Sequence, residues 1–196
     1  MADNGVTAIT ADMTHLFWAT STGQVRRTLK SGAGSIEPLA FAGGAGTRIA
    51  VAGPALYWAT LDRLHRTTTS GGSTDIVVAP GGGSIADFAL GPSTVYWLTD
   101  GKVRSQNLEV LTDPSKSLVM SQAFPGFGGL TRVPEGDLFF TADTGLYRLK
   151  PDAGANNFEL TLVATVQPPV GRVAHTSTHL YFIQANSKEI RRVARP

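Results

Sequence analysis

Apolar and polar residues alternate along the chain in short runs that return at a regular interval. In five stretches an aliphatic residue is followed by two aromatic residues, and the stretches recur about every 40 residues. Neighbouring side chains of a strand point to opposite faces, so we expect the two rings of each stretch to pack on opposite sides of a sheet. The stretches are Leu16-Phe17-Trp18, Leu56-Tyr57-Trp58, Val95-Tyr96-Trp97, Leu138-Phe139-Phe140 and Leu180-Tyr181-Phe182.

Further short strands surround each aromatic stretch. A polar turn and a strand with a basic residue follow it, as in Val25-Arg26-Arg27 and Leu146-Tyr147-Arg148. Runs of small and β-branched residues precede it, and in four units a last apolar run comes before a joint rich in Gly or Pro. The preceding runs are residues 6–11, 48–52, 85–90, 130–133 and 172–176, and the last runs are 36–41, 75–79, 118–124 and 159–166.

This order of strands predicts an all-β fold, a five-bladed β-propeller of four-stranded repeats in one domain. The repeats lie approximately at residues 6–44, 45–83, 84–127, 128–170 and 171–196, and the last has no outer strand. Three alternatives stay open: the fifth blade has three strands, the chain is a piece of a larger ring, or the open sheet edge pairs with another copy, so self-association through the fifth blade is one expectation.

Composition excludes several classes of protein. There are 17 Lys and Arg against 15 Asp and Glu, and the basic residues form no cluster, so no nucleic-acid partner is expected. No apolar run of about 18 residues exists, so no membrane span is predicted. Cysteine is absent, which removes disulfides and thiolate chemistry. The first residues show no signal-peptide pattern, and the compartment stays open, with a secreted or periplasmic location favoured.

The segment Tyr96-Trp97-Leu98-Thr99-Asp100 resembles the YWTD repeat of β-propellers such as those of the low-density lipoprotein receptor family. Tyr57-Trp58-Ala59-Thr60 and Phe17-Trp18-Ala19-Thr20 resemble the same motif, whereas the last two units keep only the aromatic pair. The likeness covers almost the whole chain as repeats. YWTD propellers have six blades, and this chain shows five units. The resemblance, which extends to TolB-like propellers, implies binding of proteins, peptides or glycans, with hydrolases and lyases among the relatives.

Acidic and amide side chains recur in the turn after the aromatic stretch. We expect Asp62, Asp100, Asp143 and Asn186 to surround one mouth of a central channel, on the face that holds the joints. A ring of oxygen atoms could bind a hard cation or a sugar. Asp and Asn are also the ordinary residues of tight turns, and this interpretation is favoured.

Other candidate chemistry is sparse. Arg48, Arg132 and Arg172 recur near the starts of the first strands and could give the channel a positive rim for an anionic ligand. Asp87 and Glu135 come from different blades and could form a carboxylate pair, but nothing in the sequence selects them, and no catalytic residue is predicted. The histidines lack the spacing of a metal site, and no cofactor is expected.

Three hypotheses follow. The first is a non-enzymatic scaffold that binds a protein or glycan partner on the loop face bearing Asp62, Asp100, Asp143 and Asn186. The second is a propeller-type hydrolase or lyase with a site at the channel mouth. The third is a structural module that assembles through its incomplete fifth blade. The sequence favours a binding module over an enzyme and leaves the choice open.

Overall fold

Antiparallel strands make up the regular structure of the residues that the structure describes. The computed structural model describes residues 5–41, 43–78, 83–109, 124–126, 128–143, 145–151, 158–167, 170–184 and 188–196. The strands are β1 (Val6–Ala11), β2 (His15–Thr20), β3 (Gln24–Leu29), β4 (Glu37–Phe41), β5 (Arg48–Ala52), β6 (Ala55–Ala59), β7 (Leu64–Thr68), β8 (Asp75–Val78), β9 (Asp87–Leu90), β10 (Thr94–Thr99), β11 (Lys102–Asn107), β12 (Gly129–Arg132), β13 (Leu138–Ala142), β14 (Gly145–Pro151), β15 (Phe158–Thr165), β16 (Val170–His175), β17 (His179–Gln184) and β18 (Glu189–Ala194). Within the described ranges, no helix has the length and apolar character needed to cross a membrane.

Every sheet is a meander in which each strand pairs with its neighbours in sequence. Blade 1 is β1-β2-β3-β4, blade 2 is β5-β6-β7-β8, blade 3 is β9-β10-β11, blade 4 is β12-β13-β14-β15 and blade 5 is β16-β17-β18. The predicted fold class, an all-β five-bladed β-propeller, is confirmed, and the last blade has three strands. The outer strand predicted for blade 3 at 118–124 lies, apart from Phe124, outside the described residues.

The chain divides into two compact units. Unit 1, Met1–Ile85, holds blades 1 and 2, and unit 2, Ala86–Pro196, holds blades 3 to 5. In unit 1 one apolar cluster joins the two blades, with Phe17 and Val25 from blade 1 and Ile49, Leu56 and Trp58 from blade 2. The expected packing of the aromatic stretches between blades is therefore present in unit 1.

Two apolar clusters join neighbouring blades in unit 2. Leu98 and Val103 of blade 3 share one of them with Leu130 and Phe140 of blade 4. The other cluster joins blade 4 to blade 5 and contains Phe139, Leu146, Val173, Leu180 and Phe182, all at most 5 % exposed. Rings of one stretch thus face different blades, because Phe139 and Phe140 are consecutive in one strand.

Glycine lets the first strands of neighbouring blades approach closely. A Cβ atom at Gly129, in β12, would lie 2.6 Å from the Cα atom of Arg172 in β16 and 2.8 Å from the backbone nitrogen of Val173. Backbone cannot move aside as a flexible side chain can, so only glycine fits there. Small residues in these strands were predicted from the crowding of blades, and Gly129 shows the limit of that crowding.

Candidate functional site

The turn between the second and third strands of a blade lies beside the joint that leads to the next blade. In blade 2 the amide of Ile85 donates to the carbonyl of Leu61 over 2.7 Å, and in blade 3 the amide of Phe124 donates to the carbonyl of Gly101 over the same distance. We call this end of a blade its joint end. The predicted acidic turn residues lie there, each within its own unit.

Asp100 and Asp143 of unit 2 lie on either side of one joint. Asp100 and Gly101 have φ angles of 48° and 74°, which is the backbone of a tight hairpin turn. The next joint residue after Phe124 is Pro125, whose carbonyl accepts a hydrogen bond from the amide of Asp143 over 3.2 Å. Gly126 lies directly against the Asp143 carboxylate, because a Cβ atom there would overlap it. The joint therefore covers part of Asp143 and leaves Asp100 exposed.

Asp62 of unit 1 is an exposed turn residue. Its carboxylate accepts a hydrogen bond from the Thr60 hydroxyl over 3.1 Å and lies 3.4 Å from the Arg63 guanidinium. Both contacts are local, as expected where an aspartate stabilises its own turn. Asn186, the fourth predicted residue, lies outside the described residues. A ring formed by all four residues stays a prediction.

Two large apolar side chains are exposed at the joint end of unit 1. Phe41, the last residue of β4, is 65 % exposed, and Leu61, in the turn after β6, is 63 % exposed. The joint between them passes over the end of β6, where a Cβ at Gly44 would lie 3.8 Å from the Thr60 methyl group. We define the joint surface of unit 1 by Phe41, Leu61, Asp62 and Arg63. Sequence reasoning missed Phe41 and Leu61, although an aliphatic residue within a polar turn was a visible signal.

The three predicted arginines do not occupy one position in their blades. Arg48 is the first residue of β5 and pairs with Ala59, and Arg172 lies near the start of β16. Arg132 is the last residue of β12 and pairs with Leu138, so it lies at the opposite end of its strand. The predicted strand 130–133 is observed at 129–132, so Arg132 is its last residue. A positive rim formed by all three arginines stays a prediction.

The carboxylates of Asp87 and Glu135 bind different residues. Asp87 is 2 % exposed and accepts a 3.0 Å hydrogen bond from the amide of Leu130, at the start of β12. Glu135 lies in the turn beyond the other end of β12 and pairs with Arg195 over 2.8 Å. A hydrogen bond from its own amide and the Arg195 guanidinium lower the pKa of Glu135. Asp87 joins blades 3 and 4, whereas Glu135 joins blades 4 and 5.

A small cleft opens between blades 4 and 5 of unit 2. It has a volume of about 130 Å³ and is lined by Val133, Glu135, Asp137, Phe139, Arg148, Arg195 and Pro196. Its charged groups pair with one another, since Arg148 binds Asp137 and Arg195 binds Glu135. His175 nearby contacts the Thr131 hydroxyl over 3.0 Å, and burial lowers the pKa of this histidine. In the described ranges, no three His, Asp or Glu side chains come together as metal ligands.

Comparison with known proteins supports the fold. No protein-family model and no curated protein sequence matches the chain. Among solved structures, a chain of a nidogen/laminin complex matches with a TM-score of 0.75 and 14 % identity, over 96 % of this chain and 75 % of that one. A catalytically inactive virginiamycin B lyase from Staphylococcus aureus with quinupristin matches with a TM-score of 0.77 and 14 % identity, over 100 % and 71 % of the two chains.

A third structure is PorZ, a surface component of the type-IX secretion system of Porphyromonas gingivalis. It matches with a TM-score of 0.66 and 18 % identity over the whole of this chain and 28 % of that one. These similar chains come from solved structures as different as a nidogen/laminin complex, a lyase and a secretion-system component. At such low identity the likeness concerns the fold alone, and it places the chain among the β-propellers.

Proposed function

We propose that this chain is a non-enzymatic β-propeller scaffold that binds a protein partner through the joint surface of unit 1. The observation that carries the proposal is the exposure of Phe41 and Leu61, which both lie at the joint end of unit 1. Large exposed apolar side chains that lie beside charged ones are typical of protein interfaces. The partner we expect has an apolar patch with charged groups at its border, because Asp62 and Arg63 present both signs beside Leu61.

Close contacts of the joints after blade 1 and blade 2 support the proposal. Gly23, with a φ angle of 85°, lies against the joint so closely that a Cβ there would be 2.8 Å from the carbonyl oxygen of Gly44. The Leu61 carbonyl is held by the Ile85 amide. Residues held in this way lose little conformational entropy when a partner binds, so more of the contact energy appears as affinity.

The similar chain in the nidogen/laminin complex belongs to a protein complex, which agrees with a protein partner. A glycan partner was the other half of the binding hypothesis. A glycan would be bound by polar side chains such as Asp62. The joint surface of unit 1 also exposes the large apolar side chains of Phe41 and Leu61, which favour a protein partner. For the hydrolase or lyase alternative, the sequence selects no catalytic residue. Asp87 and Glu135, from different blades, engage Leu130 and Arg195 at opposite ends of β12.

The test compares capture of proteins from native extract by the wild-type chain and by two double variants. Phe41→Asp with Leu61→Asp changes the joint surface of unit 1. The matched control is Met13→Asp with Ile36→Asp, since these residues are also exposed and lie at the other end of the same unit. We expect a protein bound by wild type and control to lose about tenfold or more in affinity for the Phe41/Leu61 variant, as at an interface hot spot.

A photo-crosslinking residue at position 62 should attach to the same protein, and one at position 70, in the turn before β8, should not. Equal binding by the two double variants, or crosslinking from position 70 alone, would reject the joint surface as the binding site. A glycan array tests for a sugar ligand. If a glycan still binds the Phe41/Leu61 variant but no longer binds Asp62→Ala, the partner is a sugar and not a protein. A melting temperature lowered by chelator would support the enzyme alternative with an integral cation.

A further inference from the structure

Two side-chain contacts join blades 4 and 5 at the end of the blades that lies away from the joints. In the first, the Nδ1 atom of His175 in β16 lies 3.0 Å from the hydroxyl oxygen of Thr131 in β12. In the second, the Arg195 guanidinium donates to the Glu135 carboxylate over 2.8 Å, and the amide of Arg195 donates to the carbonyl of Thr178 over 2.9 Å. We call the two contacts the blade 4–5 bridge, defined by Thr131, Glu135, His175 and Arg195.

The bridge lies beside the apolar core of the same blade contact. His175 pairs with Leu180 across the strands of blade 5, and Val173, two residues earlier, pairs with Phe182. Alternate residues of a strand share a face, so His175 points to the same side as Val173. Val173, Leu180 and Phe182 share a cluster with Phe139 of blade 4, and all four are at most 5 % exposed. A loss of the bridge therefore acts directly on the packing of the two blades.

The charged groups that face His175 are those of the bridge and of the adjoining cleft. Glu135 and Arg195 both act on the charge of the histidine. Asp137 and Arg148 of blade 4 line the cleft together with Glu135 and Arg195, and they bind each other. The charges of these four groups sum to zero, so a proton on His175 adds a positive charge that nothing among them balances.

Other ionisable side chains of the surrounding strands point elsewhere. Arg132 in β12 and His179 in β17 are each next in sequence to a residue of the blade contact, so their side chains point to the opposite faces of their sheets. Arg172 lies three residues before His175, toward the other end of β16. The strand β13 has no ionisable residue. His175 is therefore the group that titrates near neutral pH at this contact.

A proton on His175 is unfavourable while the two blades are in contact. Burial, and next the Arg195 guanidinium, lower the pKa of His175 below its ordinary value of 6.5, and Glu135 acts in the opposite direction. When the blades separate, water solvates the ring and the proton binds more readily. The separated state is therefore favoured increasingly as the pH falls below 6.5, and the dependence levels off above it.

We propose that protonation of His175 opens the contact between blades 4 and 5 in mildly acidic solution. The histidines of the chain are His15, His65, His175 and His179, so blades 3 and 4 contain none. The contact between blades 3 and 4 therefore lacks this response and provides an internal reference. In acid, unit 2 opens first at one defined blade contact.

The experiment uses the absence of cysteine from the chain. Val173→Cys places one thiol in the contact of blades 4 and 5. Val103→Cys, the matched control, places one in the cluster between blades 3 and 4, and both valines are at most 3 % exposed. The rate of labelling by a disulfide reagent that reacts in acid is divided, at each pH, by the rate for the same variant in denaturant. From about pH 7.5 to 5 the corrected rate at position 173 should rise severalfold, at most about tenfold per pH unit for one proton, and the rate at position 103 should change little.

Addition of His175→Gln to the Val173→Cys parent should abolish the rise, because glutamine can bond to Thr131 and does not titrate. His179→Gln replaces the other histidine of blade 5, away from the contact, and should keep the rise. An equal rise at positions 173 and 103 would overturn the proposal, since it would mean that the whole unit opens. A rise that persists in His175→Gln, or a rate at position 173 that does not change with pH in the parent, would overturn it too.

Arg195→Gln is a second variant, which gives a result even if His175→Gln does not fold. It removes the positive charge that opposes a proton on His175, so the rise in labelling toward acid pH should be smaller than in the Val173→Cys parent. A purely structural loss of the pair between Arg195 and Glu135 would speed labelling by the same factor at every pH, and that result would contradict the proposal.

Discussion

Trp58 and His65 show how single side chains decide the packing of a blade. Their rings stack with centroids 5.2 Å apart and planes inclined by 13°, and His65 is 5 % exposed. The aromatic stretches were expected to pack between blades, and the burial of Trp58 agrees with this. The stacking on His65 was not expected, because it depends on the register of β6 and β7, which pairs the two residues directly.

The first prediction concerns pH and His65. Burial, and next the nearby Arg63 guanidinium, lower the pKa of His65 below its ordinary value of 6.5. The unfolded chain then binds this proton more readily, so stability falls as the pH falls below 6.5 and levels off above it. His65→Phe keeps a ring on Trp58 and should flatten this dependence, measured by denaturant unfolding between about pH 7 and 5.

His175 also has a lowered pKa, so part of the dependence should remain in His65→Phe. His179→Gln, at the first residue of β17, is the control for replacing a histidine elsewhere in the chain. An unchanged pH dependence in His65→Phe would show that the proton on His65 does not affect folding.

The second prediction concerns Gly129. In Gly129→Ala the new Cβ would press on the backbone of Arg172 and Val173, so β12 and β16 would have to separate. We expect a loss of about 1–3 kcal/mol in the free energy of unfolding, as for overpacked sites. Gly44→Ala is the matched control, because its Cβ would have ordinary contacts at 3.8 Å. Equal effects of the two substitutions would contradict the close approach of the strands.

At the scale of elements, the period-two pattern was enough to place the described strands within one or two residues. The difference between predicted and observed strand bounds has its largest consequence at β12. Gly129 was read as part of a joint, because glycine usually marks turns, and the structure uses it inside a strand where a neighbouring strand comes close. Arg132 is the last residue of β12, whereas Arg48 is the first residue of β5. The contact of Gly126 with Asp143 joins distant parts of the chain, and no local pattern encodes it.

The third prediction concerns the contact between blades 3 and 4. Asp87→Ala would leave the buried amide of Leu130 without the carboxylate that now binds it. We expect a loss of about 1.5–3 kcal/mol in the free energy of unfolding. The control is Asp75→Ala, which removes an exposed partner of Arg66 and should cost at most about 1 kcal/mol. If thermal and denaturant unfolding give both variants the same stability, the Asp87 contact adds nothing to the joining of the blades.

At the scale of the whole molecule, equivalent positions have different surroundings in different blades. Sequence alone gives Leu146 and Ile190 the same place in the repeat, after the turn of a blade. The structure buries Leu146 fully and leaves Ile190 exposed, because blade 5 covers blade 4 in unit 2. The repeat could thus be predicted from its period, whereas the exposure of one copy could not.

The fourth prediction uses this contrast. Leu146→Ala should lower the free energy of unfolding by about 2–5 kcal/mol, as is usual when a core leucine is truncated. Ile190→Ala should change it by no more than about 0.5 kcal/mol. Both are measured by urea unfolding of dilute protein, so that association does not contribute. A large loss in Ile190→Ala under these conditions would mean that the residue is buried within the monomer.

The sequential pairing of strands in every sheet has a consequence for how the chain folds. Each strand finds its partner across a short turn, so closing these loops costs little entropy and local contacts can form quickly. Blade 1 contains all its own strand partners and can be completed on the ribosome while later blades are still being synthesised. Folding can then spread from one blade to the next, as in other repeat proteins. A defect in one blade should slow the folding of that blade and leave the other blades able to fold.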